Sequence, residues 1–307
     1  MPRLCAYVEL GSSIARPLGR HRRMPRRRIV AFAERKTTIP VMPSSFLDET
    51  FGLLGQVAAV VGGAGRIGRA LCHAIAAAGA DVAIVDLDQP AAQRLAEHVC
   101  GQTGRRVIAV AADATSEEQL ANAVAAITER LGVPRLLINS AQFRGAGFYS
   151  SNVEDYPREA WEKVIETNLT AVHLACQAFG RAMIAGGGRI VNISSTYGLV
   201  SPDPRIYGGS GVNSPVAYAA AKAGVVNLTR YLAVHWRDKN IRVNCLVPGG
   251  VFDNQSPEFV ESYSARTPLG RMASPEDYQG AVLFLLSRAS DYMTGSVLCV
   301  DGGWTAW

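Results

Sequence analysis

The chain has 307 residues, 48% hydrophobic and 19% charged, which is enough apolar surface for one large α/β core and too balanced a composition for a disordered or fibrous protein. No apolar run reaches the roughly 18 residues that cross a bilayer, so no transmembrane helix is expected. The net charge of +5 is concentrated at one end: residues 1–41 carry ten basic side chains against Glu9 and Glu34, which leaves Met42–Trp307 at −3 and without an electrostatic case for nucleic acid.

That basic arm has three readings. It is an organelle transit peptide, a disordered tail that binds polyanions, or a non-native segment upstream of a normal start at Met42. The third is favoured, because folded-domain patterning begins just after Met42. The chain therefore divides into a basic extension, 1–41, and one catalytic domain, 42–307. The six cysteines are scattered, with no C-x-x-C and no histidine at ligand spacing. They imply a reducing, cytoplasmic setting and no metal site.

From Gln56 onward short apolar runs alternate with longer helical patterns. Strands are predicted over 57–61, 82–85, 107–111, 136–139, 190–193, 243–246 and 297–300. Helices are predicted over 67–78, 91–99, 117–131, 161–184, 216–237 and 275–287. Continuous Val/Ile/Ala runs mean strands buried on both faces, and alternating β and α elements require parallel pairing. The expected fold is a single-domain, doubly wound α/β sheet. One long irregular stretch, 196–215, interrupts the pattern, and loops of that length inside a domain are usually functional.

The first strand runs into VVGGAGRIGRA. Gly62, Gly65 and Gly68 let a turn close and let backbone N–H groups reach a pyrophosphate at the start of a helix. Asp86, 18 residues after Gly68 at the end of the second strand, is placed to accept from ribose hydroxyls and to repel a 2′-phosphate, which favours NAD over NADP. Arg66 argues the other way, since a guanidinium in this loop suits a 2′-phosphate. Asp113, after the third strand, is either an adenine contact or a cap for the helix starting near Ser116. Asn139, ending the fourth strand, is placed at the same crevice.

Hydride transfer at a carbinol carbon needs a matching proton transfer at its oxygen. A tyrosine hydroxyl does this when a nearby ammonium stabilises its phenolate. Tyr218 and Lys222, in YAAAK, share one face of a predicted helix, and Tyr218 alone among ten tyrosines has lysine at i+4. Upstream, the strand in GGGRIVNISS delivers Ser195 to a C-terminal sheet edge, as a hydrogen-bond donor to a substrate oxygen or as a cap. Asn168 is an amide within a helix, a water holder or a surface residue.

Glycine loop, Asp86, Asn139, Asn168, Ser195, Tyr218/Lys222, Pro248-Gly249 and the closing Asp301-Gly302-Gly303 occur in the order of the short-chain dehydrogenase/reductase family, which residues 50–307 resemble. The resemblance implies a Rossmann-type seven-stranded parallel sheet and an Asn168–Ser195–Tyr218–Lys222 tetrad, usually in a homotetramer or homodimer. Tyr218 would be the acid/base, Ser195 the oxygen anchor, Lys222 a ribose ligand and modulator of Tyr218, and Asn168 the water holder. Ile67 and Ala141 would join the cofactor contacts, and residues 247–251, including Pro248, Gly249 and Val251, would line the nicotinamide.

The chain departs from the family's pattern at several places. Val61 stands for the usual threonine and Arg66 for the middle glycine, a spacing closer to that of extended members. Asn139-Ser140-Ala141-Gln142 replaces Asn-Asn-Ala-Gly, and Asp253 stands where a threonine follows Pro-Gly. Ser195 and Tyr218 are 23 positions apart, about ten more than is usual in the family. The extra residues fall in SPDPRIYGGSGVNSP, where Tyr197, Arg205, Tyr207 and Asn213 are substrate-contact candidates. The surrounding stretch resembles a bacterial subgroup associated with glycan and flagellin modification. The expected function is NAD(P)-dependent interconversion of a secondary alcohol and a ketone on a polar small molecule, a sugar or nucleotide-sugar. The alternatives are a non-catalytic NAD(P) sensor and a sugar epimerase or dehydratase.

Overall fold

The strands at residues 57–61 and 136–139 are buried along their whole length because helices cover both faces of the sheet. Val57, Ala59 and Val61 pack on one face with the helices carrying Leu120, Phe179 and Val225, while Ala58 and Val60 pack on the other with those carrying Leu71, Ala92 and Val282. The computed structural model describes residues 44–307 except 144, 146, 147, 150, 151 and 209–212. The basic arm and its three readings lie outside the described residues.

The elements run α1 (Ser44–Phe51), β1 (Val57–Val61), α2 (Arg66–Ala77), β2 (Asp81–Asp86), α3 (Gln89–Thr103), β3 (Val107–Ala111), α4 (Glu117–Arg130) and β4 (Leu136–Asn139). They continue with α5 (Arg158–Ile165), α6 (Ala171–Met183), β5 (Gly188–Ile193), α7 (Val216–His235), β6 (Ile241–Pro248), α8 (Pro257–Arg266), α9 (Gln279–Leu286) and β7 (Val297–Val300). The seven strands form one sheet in the order β3-β2-β1-β4-β5-β6-β7, and every pairing is parallel. The order reverses between β1 and β4, and crevices at such switch points, beyond the strands' C-terminal ends, are where ligands bind. Among the described residues no helix is long and apolar enough to cross a membrane.

The seven predicted strands are all present, four of them with the predicted bounds. The helices differ more. The one expected over 161–184 is split into α5 and α6 by a π-turn, Glu166–Thr170, with Asn168 at its centre and fully buried. A π-turn inserts one extra residue into the helical ladder and recurs at functional sites, and hydrophobic periodicity does not report it. Helix α8 was not predicted, although its start signal is in the chain: the Ser256 hydroxyl accepts from the Phe259 N–H at 3.3 Å, and Pro257 follows it.

The expected irregular stretch is partly ordered by charge. Asp203 accepts from the Arg205 side chain at 2.9 and 2.8 Å and pairs with Arg266 of α8 at 3.0 Å. This ties the 3₁₀ turn Pro204–Tyr207 to α8, and Ile206 is buried with Tyr263, Met272 and Trp304. Hydrogen bonding from Arg205, reinforced by the charges of Arg205 and Arg266, holds the Asp203 carboxyl at about 2 against an ordinary 3.8. A carboxyl depressed in this way contributes stability that is present above its ordinary value and is lost as pH falls through about 2. Arg205 is largely exposed and Arg266 about a third exposed, so Asp203→Asn is expected to lower the melting temperature only modestly, by about 2–4 °C at pH 7. In melts at decreasing pH the gap to the native protein closes between pH 4 and pH 2.

Candidate active site

Residues 62–65 leave β1 and enter α2 in a turn that needs glycine at its start. Gly62 has φ +76°, and a Cβ there would lie 2.5 Å from the Ala141 backbone; a Cβ on Gly68 would lie 2.4 Å from the Gly62 carbonyl oxygen. The loop is thereby pressed onto the end of β4 and α2 onto the loop. Gly65 is different, because a Cβ there would meet only the Gly62 carbonyl oxygen, at 3.2 Å. Its bareness leaves space on the cleft side, above the positive end of α2, whose first turn holds no acid and carries Arg66 and Arg69.

Asp86 fastens the other side of this cradle. Its carboxylate accepts from the Ala64 N–H at 2.9 Å and from the Asp88 N–H at 3.0 Å. Asp113 lines the same cleft and folds back on Thr115, whose N–H and hydroxyl donate to it at 2.9 and 2.7 Å. Those two bonds, the backbone one foremost, hold its carboxyl below the ordinary range. Of the two readings for Asp113, the cap does not hold, since Ser116 caps α4. Ile67, Ala141, Pro248, Gly249 and Val251 all line the cleft with Gly62, Gly65, Arg66 and Asp86.

Two expectations need correction. Asn139 does not face the cleft. It is buried, and its Nδ2 donates to Asn192 Oδ1 at 2.8 Å; Asn192 Nδ2 in turn donates to the Thr229 hydroxyl at 3.0 Å. Side chains alternate along a strand, so the residue before Ser140 points into the sheet's packed face. Arg66 is not held ready for a 2′-phosphate either, since it pairs with Asp253 and donates to the Phe252 carbonyl at 2.8 Å.

The chemical end is built on the ends of β5 and α7. Lys222 is 3% exposed, and its ammonium donates to the Ile193 carbonyl at 3.0 Å. The neighbouring Ser194 hydroxyl donates back to the Lys222 carbonyl at 2.7 Å. Tyr218, one turn earlier, is nearly buried, its ring edge-on to Phe148 at 5.6 Å, with the Lys222 Nζ 5.7 Å from its centroid. The Ser195 Oγ accepts from the Tyr197 N–H at 3.2 Å, which leaves its own proton to donate. Ser195, Tyr218 and Lys222 line the cleft. Asn168 does not: it sits behind the wall in the π-turn, its Nδ2 donating to the Val164 carbonyl at 3.1 Å and its buried Oδ1 without a protein partner.

Several cleft residues carried no sequence signal. The Gly250 N–H donates to the Tyr263 hydroxyl at 2.5 Å, and the Tyr278 hydroxyl donates to the Gly249 carbonyl at 3.1 Å, so two tyrosines from distant helical turns hold the loop after β6. Tyr263 in turn stacks on Trp304 at 4.2 Å. Of the four insert candidates, Tyr197 and Tyr207 line the cleft with their hydroxyls 3.4 Å apart, whereas Arg205 and Asn213 do not line it. Burial and the neighbouring phenols push the Tyr197 hydroxyl upward, so it stays protonated and able to donate. The whole cleft measures about 1220 Å³, room for a dinucleotide and a small substrate together.

A family model described as "Enoyl-(Acyl carrier protein) reductase" matches residues 62–305. A short-chain type dehydrogenase/reductase from Mycobacterium marinum superposes with a TM-score of 0.76 at 32% identity, over 84% of this chain and 98% of that one. The chain belongs to the short-chain dehydrogenase/reductase family. It is 36% identical over 264 residues, 84% of this chain and 98% of its relative, to a galactitol 2-dehydrogenase (L-tagatose-forming) of Cereibacter sphaeroides. It is also similar to a gluconate 5-dehydrogenase from Burkholderia cenocepacia, solved with NADP and tartrate: TM-score 0.77, 28% identity, 85% of this chain and 99% of that one.

This chain is an NAD(P)-dependent oxidoreductase of the family, acting on CH–OH groups. Its glycine cradle, the positive start of α2 and the Asp86 carboxylate fit the diphosphate and ribose of such a cofactor. Gly68→Ala is expected to lower the melting temperature by 5 °C or more, because the backbone itself must shift. Gly65→Ala is expected to fold with nearly native stability and to weaken cofactor binding at least about tenfold in a fluorescence titration, since its Cβ enters the diphosphate's space.

Proposed function

We propose that the protein is an NAD-linked dehydrogenase that interconverts a secondary alcohol of an uncharged polyol or sugar with the corresponding ketone, with Tyr218 as general acid/base. The observation that carries this reading is the buried ammonium of Lys222 one turn from Tyr218, both in a cleft whose opposite lip is a dinucleotide cradle. In the oxidative direction a bound nicotinamide supplies the hydride acceptor. Ser195 donates to the substrate oxygen and holds the carbinol at Tyr218, which takes up its proton; the adjacent ammonium stabilises the phenolate that does so. Asn168 offers a buried carbonyl oxygen behind α5 and α7, which suits a water on the path that returns protons to Lys222.

Preference for NAD rests on charge. A 2′-phosphate would have to sit beside Asp86, with Asp88 also on the cleft wall, while Arg66 is engaged across the cleft by Asp253 and Arg69 by the Ala64 carbonyl.

The choice of an uncharged substrate rests on the aromatic end of the cleft, where Phe148, Tyr197, Ile206, Tyr207, Phe259 and Met272 stand with the Ser195 and Ser262 hydroxyls. The lysines and arginines of the described cleft wall are Arg66, Arg69, Lys163 and Lys222, which belong to α2, α5 and the Tyr218 turn. Arg205 and Arg266, just outside the aromatic end, are taken up by Asp203. Aromatic faces and phenolic hydroxyls suit the C–H and O–H groups of a polyol, and a carboxylate or phosphate placed there lacks a cation.

NADH formation with galactitol, threitol, gluconate and a nucleotide-sugar tests the reading directly. A neutral polyol is expected to be oxidised fastest, and Tyr218→Phe to reduce turnover by at least about a hundredfold. Retention of turnover in that variant overturns the role of Tyr218, and faster oxidation of gluconate overturns the substrate class. Separately, Asp86→Ala is expected to move the ratio of kcat/KM for NAD over NADP toward NADP by about tenfold or more. A native enzyme that favours NADP would contradict the role given to Asp86.

A further inference from the structure

Arg66 and Asp253, two positions at which the chain departs from its family's pattern, touch each other across the mouth of the cleft. Arg66 is in the first turn of α2, and Asp253 follows β6 on the facing wall. Their side chains form an ion pair, the Arg66 Nη1 also donates to the Phe252 carbonyl at 2.8 Å, and both residues line the cleft.

Both supports are fixed. Arg66 is part of a helix. On the other side, the Phe252 N–H donates to the Ala273 carbonyl at 2.9 Å, and Val251 pairs with Ala273 in a parallel bridge. The Asp253 N–H donates to Gln255 Oε1 at 2.6 Å, while Gln255 Nε2 donates to the Val251 carbonyl at 3.0 Å. The connection can therefore open by rotation of two side chains, 44% and 43% exposed, with no loop movement. The pair also resolves an electrostatic conflict. A cation in the first turn opposes the helix dipole unless an anion accompanies it. Asp253 is that anion, and a diphosphate at the same helix end would share the guanidinium with it.

From this geometry we infer that Arg66 and Asp253 form a clasp over the diphosphate of the bound cofactor. Asp253 is a positioning residue: it aims the guanidinium across the cleft, so that the cofactor leaves only when the pair parts. The clasp sets residence time, and it rests on the family's cofactor chemistry, not on the preference for NAD.

Stopped-flow displacement of NADH from the full chain tests the inference. Asp253→Ala and Arg66→Ala are each expected to speed dissociation about five- to tenfold. The double variant is expected to be no faster than either single one, as for two groups acting as a unit, and Asp253→Glu to recover most of the native rate. Added salt should speed release from the native protein and hardly affect the alanine variants. Melting temperatures should stay close to native, because the pair is half-exposed, which separates the clasp from a structural role. NADPH release should accelerate by the same factor, so the outcome is independent of the Asp86 argument. Unchanged or slower release from Asp253→Ala, or single effects that multiply in the double variant, would overturn the clasp.

Discussion

A buried ammonium must be given acceptors, and Lys222 obtains its acceptor from the last residue of β5. That requirement organises the chemical end. The bond from Lys222 to the Ile193 carbonyl, and the return bond from Ser194 to the Lys222 carbonyl, strap the end of the strand to the middle of α7. Ser195, the next residue along, and Tyr218, one turn up the helix, are then held against the same cleft. Neither has freedom to drift, because each is a neighbour of a tied residue on a regular element.

The cofactor end depends on a different constraint, the close approach of backbones. Gly62 lies against Ala141, Gly68 against Gly62 and Gly249 against Asp301, at distances no side chain allows. These contacts fit together the ends of β1, β4, β6 and β7. The Asp301-Gly302-Gly303 turn, far from the glycine loop in sequence, thus shapes the loop after β6 that lines the cleft.

Most of the fold was legible because strands covered by helices leave short apolar runs; β1 and β4 are buried throughout, and the edge strand β7 keeps an apolar run although it is only partly buried. Local spacing likewise pointed to Tyr218, Lys222, Ser195 and the glycine loop. What was not legible depends on direction and partnership. Asn139 has the right position for the crevice but the wrong parity along its strand, a one-residue matter that spacing alone does not decide. Arg66 looked available in the chain and is committed in three dimensions, 187 positions before its partner Asp253. Tyr263 and Tyr278 serve through single hydroxyls reaching a loop, and a lone tyrosine carries no pattern. The π-turn around Asn168 reads as an ordinary stretch of helix.

The tie between Asp203 and Arg266 has a consequence for how such an enzyme diversifies. Tyr207 of this stretch lines the cleft and its turn is fastened to α8, whereas Lys222 of α7 is fastened to the end of β5. The two attachments share no hydrogen bond. A change confined to residues 203–207 therefore reshapes the aromatic end of the cleft while the bond from Lys222 to Ile193 stays in place; Tyr197 and Gly198 lack that freedom, because the Tyr197 N–H donates to the Ser195 hydroxyl and Gly198 lies against the Lys222 carbonyl.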